Sequence, residues 1–292
     1  MENYTICIDA SVDISSDYIR ENHILILPMK YMLDEKEYVM RDRLTEEELS
    51  AFYDAMKAGS LTRTSQITPY YYKETFGAEA AKGNDILYLS LSSGLSNTYS
   101  SARTAASDIM DEYPGVRIEV VDTLAGTGGM GLLLMAAADA RDKDVPLEKN
   151  AEWLRMMSHN ICHWFLVDDL IYLKRGGRVS AAAAVTANVL NIKPILKIAD
   201  DGRLVSIAKK RGLAKAGAFL VDCCVNAIDQ SMPGEIIVVH AAAPDMARHA
   251  ADLLAARFPD VHIQICGLSP VIGAHTGPGM MAVIHWGNRN YV

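Results

Sequence analysis

A chain of 292 residues with 50% hydrophobic and 22% charged residues has the composition of a globular protein, large enough for one extensive core or for two lobes. Its formal net charge of −8 argues against a nucleic-acid-binding protein, because such proteins present a basic face to phosphates. The five cysteines lack metal-ligand spacing, which predicts reduced, buried thiols in a cytoplasmic protein. The first residues do not have the layout of a signal peptide, and no apolar run reaches the roughly 18 residues of a membrane span, so we expect no stable membrane insertion.

The first half of the sequence alternates short apolar runs with helical patterns. Strands are predicted at 4–8, 24–27, 86–89 and 117–121. Helices are predicted at 14–22, from the capping box at Thr45 through Met56, at 70–80, after Thr98, at about 126–142 and at 147–158. This alternating order predicts a parallel sheet covered by helices.

The second half has a different pattern, with shorter connections between its strands. Strands are predicted at 163–167, 192–198, 236–240, 262–266 and 282–286, and helices at 168–174, 180–190, from about Arg211 to Gln230, and at 245–257. The Asp201-Gly202 pair after the second of these strands indicates a hairpin. We therefore expect a two-domain α/β protein, with a parallel sheet in residues 1–160 and a mixed or antiparallel sheet with helices in residues 161–292.

A dense run of hydroxyl side chains at 92–101 follows the predicted strand at 86–89. The run breaks at Ser92-Ser93-Gly94 and continues into a helical pattern, which predicts a strand, a tight turn and a helix. The first N–H groups of a helix lack intrahelical partners and carry partial positive charge, so an anion can bind there without a lysine or arginine. This run is therefore a candidate for one half of an anion site.

Two other polar stretches could supply the second half. Thr64, Ser65 and Gln66 precede a predicted helix, where they could bind an anion or simply form a cap and a turn. His275 and Thr276 lie in a stretch rich in glycine and proline, predicted to be a loop, where they could offer an N–H and an O–H to one oxygen anion. A histidine with only a structural role is the alternative.

Glycine-rich and basic stretches allow further interpretations. Gly126, Gly128 and Gly131 come close to a dinucleotide fingerprint, but no acidic residue follows at the spacing that ribose recognition requires, so we expect close packing of this helix on a sheet or on a long ligand. The segment 174–178 gathers three cations around two glycines, and 209–211 forms a second basic cluster. On an acidic protein such clusters indicate either an interaction surface or a solvated turn.

Five stretches together resemble the DegV family of bacterial fatty-acid-binding proteins. They are Thr64-Ser65-Gln66, Ser92 to Tyr99, Leu173 to Ser180, Leu190 to Leu196, and His275 to Gly279. The resemblance covers essentially the whole chain. The sequence departs from the family pattern at Ala10, where a serine is usual, at Ile67, where a proline is usual, and at Asn97, where a glycine is common. The first departure removes a hydroxyl that could have contacted a ligand head group.

The resemblance implies a two-domain α/β protein that encloses one long-chain fatty acid between its domains. It implies an acyl carrier rather than an enzyme, with no metal or other cofactor. A separate kinase subunit would phosphorylate the bound fatty acid to an acyl phosphate for lipid synthesis. The residues implied to hold the carboxylate are Thr64, Ser93 and His275, with Ser65, Gly94, Thr276 and Gly277 as neighbours. The residues implied to face the kinase are Arg175, Arg178 and Arg203.

The energetics of burial agree with a lipid carrier. Burying a methylene group contributes about 0.8 kcal/mol, so a chain of about sixteen carbons has roughly ten kcal/mol or more available before ordering costs. The tail can supply the affinity, and the head-group site then has only to avoid an unpaired buried charge. Hydroxyls, backbone N–H groups and one histidine suffice for that, and they leave the carboxylate reactive.

Two other functions remain as alternatives. A hydrolase would use Ser93 as nucleophile and His275 as base, but the sequence around Ser93 lacks the Gly-x-Ser-x-Gly elbow of α/β-hydrolases. A kinase would need a phosphate cradle and metal-binding carboxylates, and no Walker loop is present.

Overall fold

The computed structural model describes residues 4–179, 191–232 and 235–292. Within these ranges the chain forms three β-sheets with helices packed against them. The helix predicted at 180–190 lies outside the described residues. None of the helices in the described ranges combines the length and apolar composition of a membrane span.

A four-stranded parallel sheet forms the centre of the first half, as its alternating pattern predicts. Its strands are β1 (Tyr4–Asp9), β2 (Leu25–Leu27), β6 (Asp85–Ser90) and β7 (Ile118–Asp122). Their order across the sheet is β2-β1-β6-β7, and every neighbouring pair is parallel. The inner strands β1 and β6 are buried over nearly their full length because helices cover the sheet.

Six helices accompany this sheet. They are α1 (Ser16–Glu21), α2 (Glu46–Lys57), α3 (Pro69–Ala80), α4 (Thr98–Glu112), α5 (Thr127–Asp142) and α6 (Leu147–Met157). The predicted capping box at the start of α2 is confirmed, since Glu48 N donates to Thr45 Oγ1 at 3.2 Å and Thr45 N donates to Glu48 Oε2 at 2.8 Å. Two orphan backbone donors are thereby satisfied.

A three-stranded antiparallel sheet, which the sequence analysis did not predict, lies beside the parallel one. Its strands are β3 (Met29–Leu33), β4 (Lys36–Met40) and β5 (Thr62–Ser65), in the order β4-β3-β5. The β3–β4 turn uses Asp34 at φ 54° rather than an Asn-Gly or Asp-Gly pair, so its hairpin signal is weak. Tyr31 and Tyr38 stack across the hairpin with ring centroids 5.1 Å apart. The sheet places Thr64 on a strand instead of in a loop.

The second half contains a six-stranded mixed sheet in the order β10-β9-β8-β13-β11-β12. Its strands are β8 (Ile161–Leu166), β9 (Ile192–Ile198), β10 (Leu204–Arg211), β11 (Glu235–His240), β12 (His262–Gly267) and β13 (Met281–Trp286). Only the β11–β12 pair is parallel. Its helices are α7 (Ile171–Arg175), α8 (Leu213–Ala227), α9 (Pro244–Arg257) and α10 (Pro270–Thr276), and a 3₁₀ turn at Ser158–Asn160 precedes β8. The predicted fold class is confirmed.

Helix α5 joins the two halves, because it packs against strands of both the parallel and the mixed sheet. Its glycines permit this close approach. A Cβ atom at Gly128 would lie 2.8 Å from Ile237 Cγ2, and one at Gly131 would lie 2.1 Å from Ile14 Cγ2. Close packing on neighbouring protein segments is confirmed for Gly128 and Gly131, whereas an added Cβ at Gly126 would have its nearest contact at an ordinary 3.5 Å, to Leu91 Cδ1. All five cysteines are free and buried, as predicted.

Candidate functional site

An apolar cavity of about 300 Å³ lies where the two halves meet. Its apolar wall is formed by Met29, Leu91, Leu95, Phe165, Leu173, Ile198, Leu204, Val271, Ile272, Met280 and Ala282. These residues come from all three sheets and from α10 or the segments beside them. Volume and lining are typical of a small-molecule site, in which an apolar wall carries a few polar groups that orient the ligand.

The polar groups of the wall come from distant parts of the sequence. They are Thr64, Ser65, Gln66, Ser96, Asn97, Thr127, His163, Arg178, His275 and Thr276. The structure therefore brings together four of the predicted binding residues, Thr64, Ser65, His275 and Thr276. Because β5 and α10 are in contact, residues more than 200 positions apart share one end of the cavity.

Thr64 and His275 form the central polar pair of this wall, with 2.7 Å between Thr64 Oγ1 and His275 Nε2. Side chains two residues apart on a strand share a face, so Thr62 points the same way as Thr64. Thr62 Oγ1 donates to Ala274 O at 3.0 Å. Strand β5 thus contacts α10 through two hydroxyls. Thr62 bonds to the helix backbone, and Thr64 bonds to the side chain of His275.

His275 lies in the last turn of α10, which corrects the prediction of a loop. Pro270 at the start of the helix and Gly277, which ends it at φ 75°, were the available sequence signals. Burial and the neighbouring Arg178 charge lower the pKa of His275 to about 4. The imidazole is therefore neutral at pH 7, with one nitrogen as donor and the other as acceptor.

Gly176, in the predicted basic loop, packs directly on the imidazole. A Cβ atom there would lie 2.2 Å from His275 Nδ1. Gly277 packs against the ring of Tyr172 in the same way, since a Cβ atom at position 277 would lie 2.2 Å from Tyr172 Cδ2. The loop after α7 therefore restricts the position of His275, a contact that no sequence pattern predicts.

The structure places Ser93 and Gly94 outside the wall of this cavity. Ser93 is exposed, and its N–H donates to Asp122 Oδ1 at 3.1 Å. Ser92 is buried and donates to Gly202 O at 2.8 Å, which ties the turn to the β9–β10 hairpin. Gly94 also lies against this hairpin, because a Cβ atom there would be 2.4 Å from the carbonyl carbon of Gly202. The next residues of the same run, Leu95, Ser96 and Asn97, reach the cavity instead.

His163 and Thr127 are wall residues that the sequence analysis missed. His163 lies on β8, is 2% exposed, and has its Nε2 3.1 Å from Gly126 O. Its pKa is lowered to about 3, mainly by burial and also by the Arg289 charge. Its Nδ1 has no hydrogen-bond partner among the described residues. A single histidine in an apolar strand gives no signal in the sequence.

The three predicted kinase-facing arginines differ in their surroundings. Arg175 and Arg203 are exposed, and Arg203 Nε lies 4.0 Å from Asp201 Oδ2. Arg178 is partly buried, lines the cavity and donates to the backbone oxygens of Leu95 and Gly176. A second, outer cavity of about 850 Å³ borders Gly94, Arg178 and Arg203 and shares Leu95, Arg178 and Leu204 with the first. Arg178 therefore connects the inner site with the outer surface.

A predominantly apolar cavity with hydroxyls, two neutral histidines and one arginine in its wall defines an α/β protein with a site suited to an amphipathic ligand. No cluster of metal-ligating side chains occurs in the described part of the chain. A family model for the DegV family, described as an uncharacterised protein family, matches residues 3–286. The chain belongs to the DegV family, as its sequence motifs predict.

Similar proteins share both sequence and fold with this chain. A DegV domain-containing protein of Clostridium perfringens is 32% identical over 289 residues, which span 99% of each chain. A Thermotoga maritima protein whose structure is described as revealing a fatty acid binding function is 26% identical, with a TM-score of 0.81 over 98% of this chain and 100% of that one. The fatty acid kinase B3 protein of Streptococcus pneumoniae, loaded with linoleic acid, has the same fold at 18% identity, with a TM-score of 0.83 over 97% of this chain and 99% of that one.

Proposed function

We propose that this protein binds one long-chain fatty acid between its two halves and presents the carboxylate to a partner kinase for acyl-phosphate formation. The observation that carries the proposal is the Thr64–His275 pair, which lies in the wall of a predominantly apolar cavity. The fatty acid binding function of the Thermotoga maritima relative supports the same ligand class.

The head-group site suits a carboxylate that has to remain reactive. While the Thr64–His275 contact holds, the pair can donate one hydrogen bond to a ligand oxygen, from the Thr64 hydroxyl when His275 Nε2 carries the imidazole proton and donates to Thr64 Oγ1. Ser96 and Asn97 lie in the same cavity wall. A hydrogen bond to a charged group contributes about 1.5–3 kcal/mol. One such bond from the pair, with the polar groups of Ser96 and Asn97 beside it, orients the carboxylate without the shielding that a bidentate arginine pair would impose. Ser93 and Gly94 would join this site only if the turn that carries them moved toward the cavity.

The outer cavity is the proposed path to the partner kinase. Arg203 and Arg175 are exposed cations on a chain of net charge −8, and Arg178 extends from this surface to the inner cavity. Opposite charges steer two proteins together, so these arginines suit an acidic face of a kinase. We place the boundary between the two domains at the turn Ser158–Asn160, close to residue 160.

The hydrolase alternative finds no support in this geometry. The hydroxyl that pairs with His275 belongs to Thr64, whereas Ser93 is exposed and lies outside the cavity wall. A Ser-His mechanism needs the nucleophile within hydrogen-bond reach of its base.

The direct test is binding of a fatty acid, measured by native mass spectrometry and by titration with a fluorescent long-chain fatty acid. We expect the purified protein to carry or accept one fatty acid, and Thr64→Val to lower the affinity about tenfold, because it removes one hydrogen bond to a charged group. Thr62→Val is the matched control, since it removes a hydroxyl of the same strand that contacts only the α10 backbone. Absence of any bound fatty acid, or equal affinity loss in the two variants, would contradict the proposal.

A further inference from the structure

Asp13, in the segment between β1 and α1, lies at the junction of α5 and α10, two helices that supply cavity residues. The residue is 1% exposed. Thr127 Oγ1 donates to Asp13 Oδ2 at 2.5 Å, and Ser269 N donates to Asp13 Oδ1 at 3.0 Å. Thr127 is the first residue of α5, and Ser269 directly precedes α10. One carboxylate therefore binds the starts of two helices, and its partners lie 114 and 256 positions further along the chain.

Both helix starts depend on this contact, because neither has an adequate local cap. Thr127 has φ 48°, a backbone conformation that a β-branched residue rarely adopts. Ser269 makes no side-chain cap bond, and its buried hydroxyl has no partner among the described residues. Strain of this kind persists only where the surroundings hold the backbone in place, and here Asp13 does so.

The groups around Asp13 do not form a direct ion pair with it. Arg43 donates to Ile14 O and Gly267 O, so its charge is near the carboxylate while its hydrogen bonds go to the backbone. Tyr53 and Cys266 are the other titratable neighbours, and Tyr53 donates to Leu268 O. The carboxylate therefore accepts its hydrogen bonds from two neutral donors, while the nearby Arg43 charge also favours its ionised form.

We propose that Asp13 is a positioning residue that holds the first turns of α5 and α10 together and thereby controls how fast the ligand leaves the cavity. The proposal rests on the fatty-acid-binding function proposed above. Thr127 itself lines the cavity, and α10 carries His275, so a separation of the two helix starts would displace wall residues that both helices supply. Asp13 contacts no ligand in this arrangement and acts only through its partners.

The carboxylate makes this contact sensitive to pH. Burial raises the pKa of Asp13 to about 6, although the Arg43 charge and the bonds from Thr127 and Ser269 act against it. An aspartate that opening exposes to water has an ordinary pKa of about 3.9, so the closed arrangement binds a proton more tightly than the open one. The closed arrangement is therefore favoured as pH falls from about 6 to 4, and it is least stable above pH 6.

The first experiment measures release of a fluorescent long-chain fatty acid into excess serum albumin between pH 5 and 7.5. We expect the wild-type release rate to rise with pH by about tenfold at most, since only one pH unit of the assayed range lies below the pKa of about 6 and each unit corresponds to a factor of ten. Asp13→Asn keeps an oxygen and a second polar atom in place without a charge, so its release rate should lack this rise. Asp42→Asn, an exposed neighbour on the loop before α2, is the control that keeps the wild-type profile. A constant ratio of wild-type to Asp13→Asn rates across this range would overturn the proposal.

The second experiment needs no ligand and uses amide hydrogen exchange of the ligand-free protein. Asp13→Ala and Thr127→Val should each speed exchange in the first turns of α5 and α10 at least tenfold, with no change in β6. Thr127→Ser retains the hydroxyl and should restore protection relative to the valine variant. Unchanged exchange in both helices refutes the positioning role. If the wild type binds no fatty acid, the proposed function fails, and this exchange comparison still decides the role of Asp13.

Discussion

Gly176 offers a way to move His275 without changing any polar group of the site. A Cβ atom at position 176 would lie 2.2 Å from His275 Nδ1, and the contact has to lengthen by about 1.2 Å to reach the 3.4 Å at which ordinary contact begins. The φ angle at Gly176 is −73°, so alanine introduces no backbone strain. The imidazole itself has to move, which breaks its 2.7 Å contact with Thr64 Oγ1.

We expect Gly176→Ala to lower fatty acid affinity about 10- to 100-fold. The loss of one hydrogen bond to a charged group contributes about 1.5–3 kcal/mol, and 1.4 kcal/mol corresponds to a factor of ten in Kd. The assay is equilibrium titration with a fluorescent long-chain fatty acid, with thermal unfolding measured in parallel. The double variant Gly176→Ala/Thr64→Val should have the same fatty acid affinity as whichever single variant binds more weakly. The two losses do not add, because both changes remove the same contact.

Two other glycines provide controls for this experiment. Gly177 has φ 73° and no atom within 4 Å of an added Cβ, so Gly177→Ala should lower stability by about 1–2 kcal/mol and leave fatty acid affinity unchanged. Gly115 has neither a strained φ nor a close neighbour, so Gly115→Ala should change neither quantity. If Gly176→Ala binds fatty acid like the wild type, the position of His275 does not determine carboxylate binding and the reasoning is wrong.

Three further predictions concern the head group, the partner surface and acid stability. Ser96→Ala should weaken fatty acid binding more than Ser93→Ala, because only Ser96 lines the cavity; the reverse order in the same titration would show that the turn moves on binding. Arg203→Glu should leave fatty acid affinity intact and reduce acyl-phosphate formation with a partner kinase, and Arg248→Glu, an exposed arginine on α9, is the charge-reversal control; equal turnover in both variants would exclude a docking role for Arg203. Burial lowers the pKa of His285 to about 4, so the folded state binds fewer protons than the unfolded chain, and about 3 kcal/mol of stability is lost as pH falls from 6.5 to 4. His285→Gln should reduce the dependence of Tm on pH in this range without removing it, because His163 and His275 contribute in the same direction, and an unchanged dependence would contradict the assignment.

Much of the fold follows from local patterns that the sequence displays directly. The alternation of apolar runs with helical periodicity predicts the parallel sheet, because each strand and helix has its own repeat. The capping box at Thr45 and Glu48 predicts the start of α2 for the same local reason. The β3–β4 hairpin escaped prediction because its turn at Asp34 lacks the usual residues.

The candidate site was only partly visible in the sequence. The three polar stretches identified by residue type contain Thr64, Ser96 and His275, all of which line the cavity. Within the run of hydroxyls, residue type alone could not distinguish Ser93 from Ser96, because the direction of each side chain depends on how the turn packs against the β9–β10 hairpin.

The sequence by itself therefore determined the types of elements, the family and the chemistry of the polar stretches, since these depend on neighbours a few residues apart. The tertiary structure alone decided which side chains meet. Thr64 and His275 pair across 211 positions, and Gly176 comes to lie against His275. Asp13 binds the starts of two helices that begin far along the chain. Such contacts arise when packed sheets and helices bring distant segments together, and no pattern among neighbouring residues predicts which segments meet.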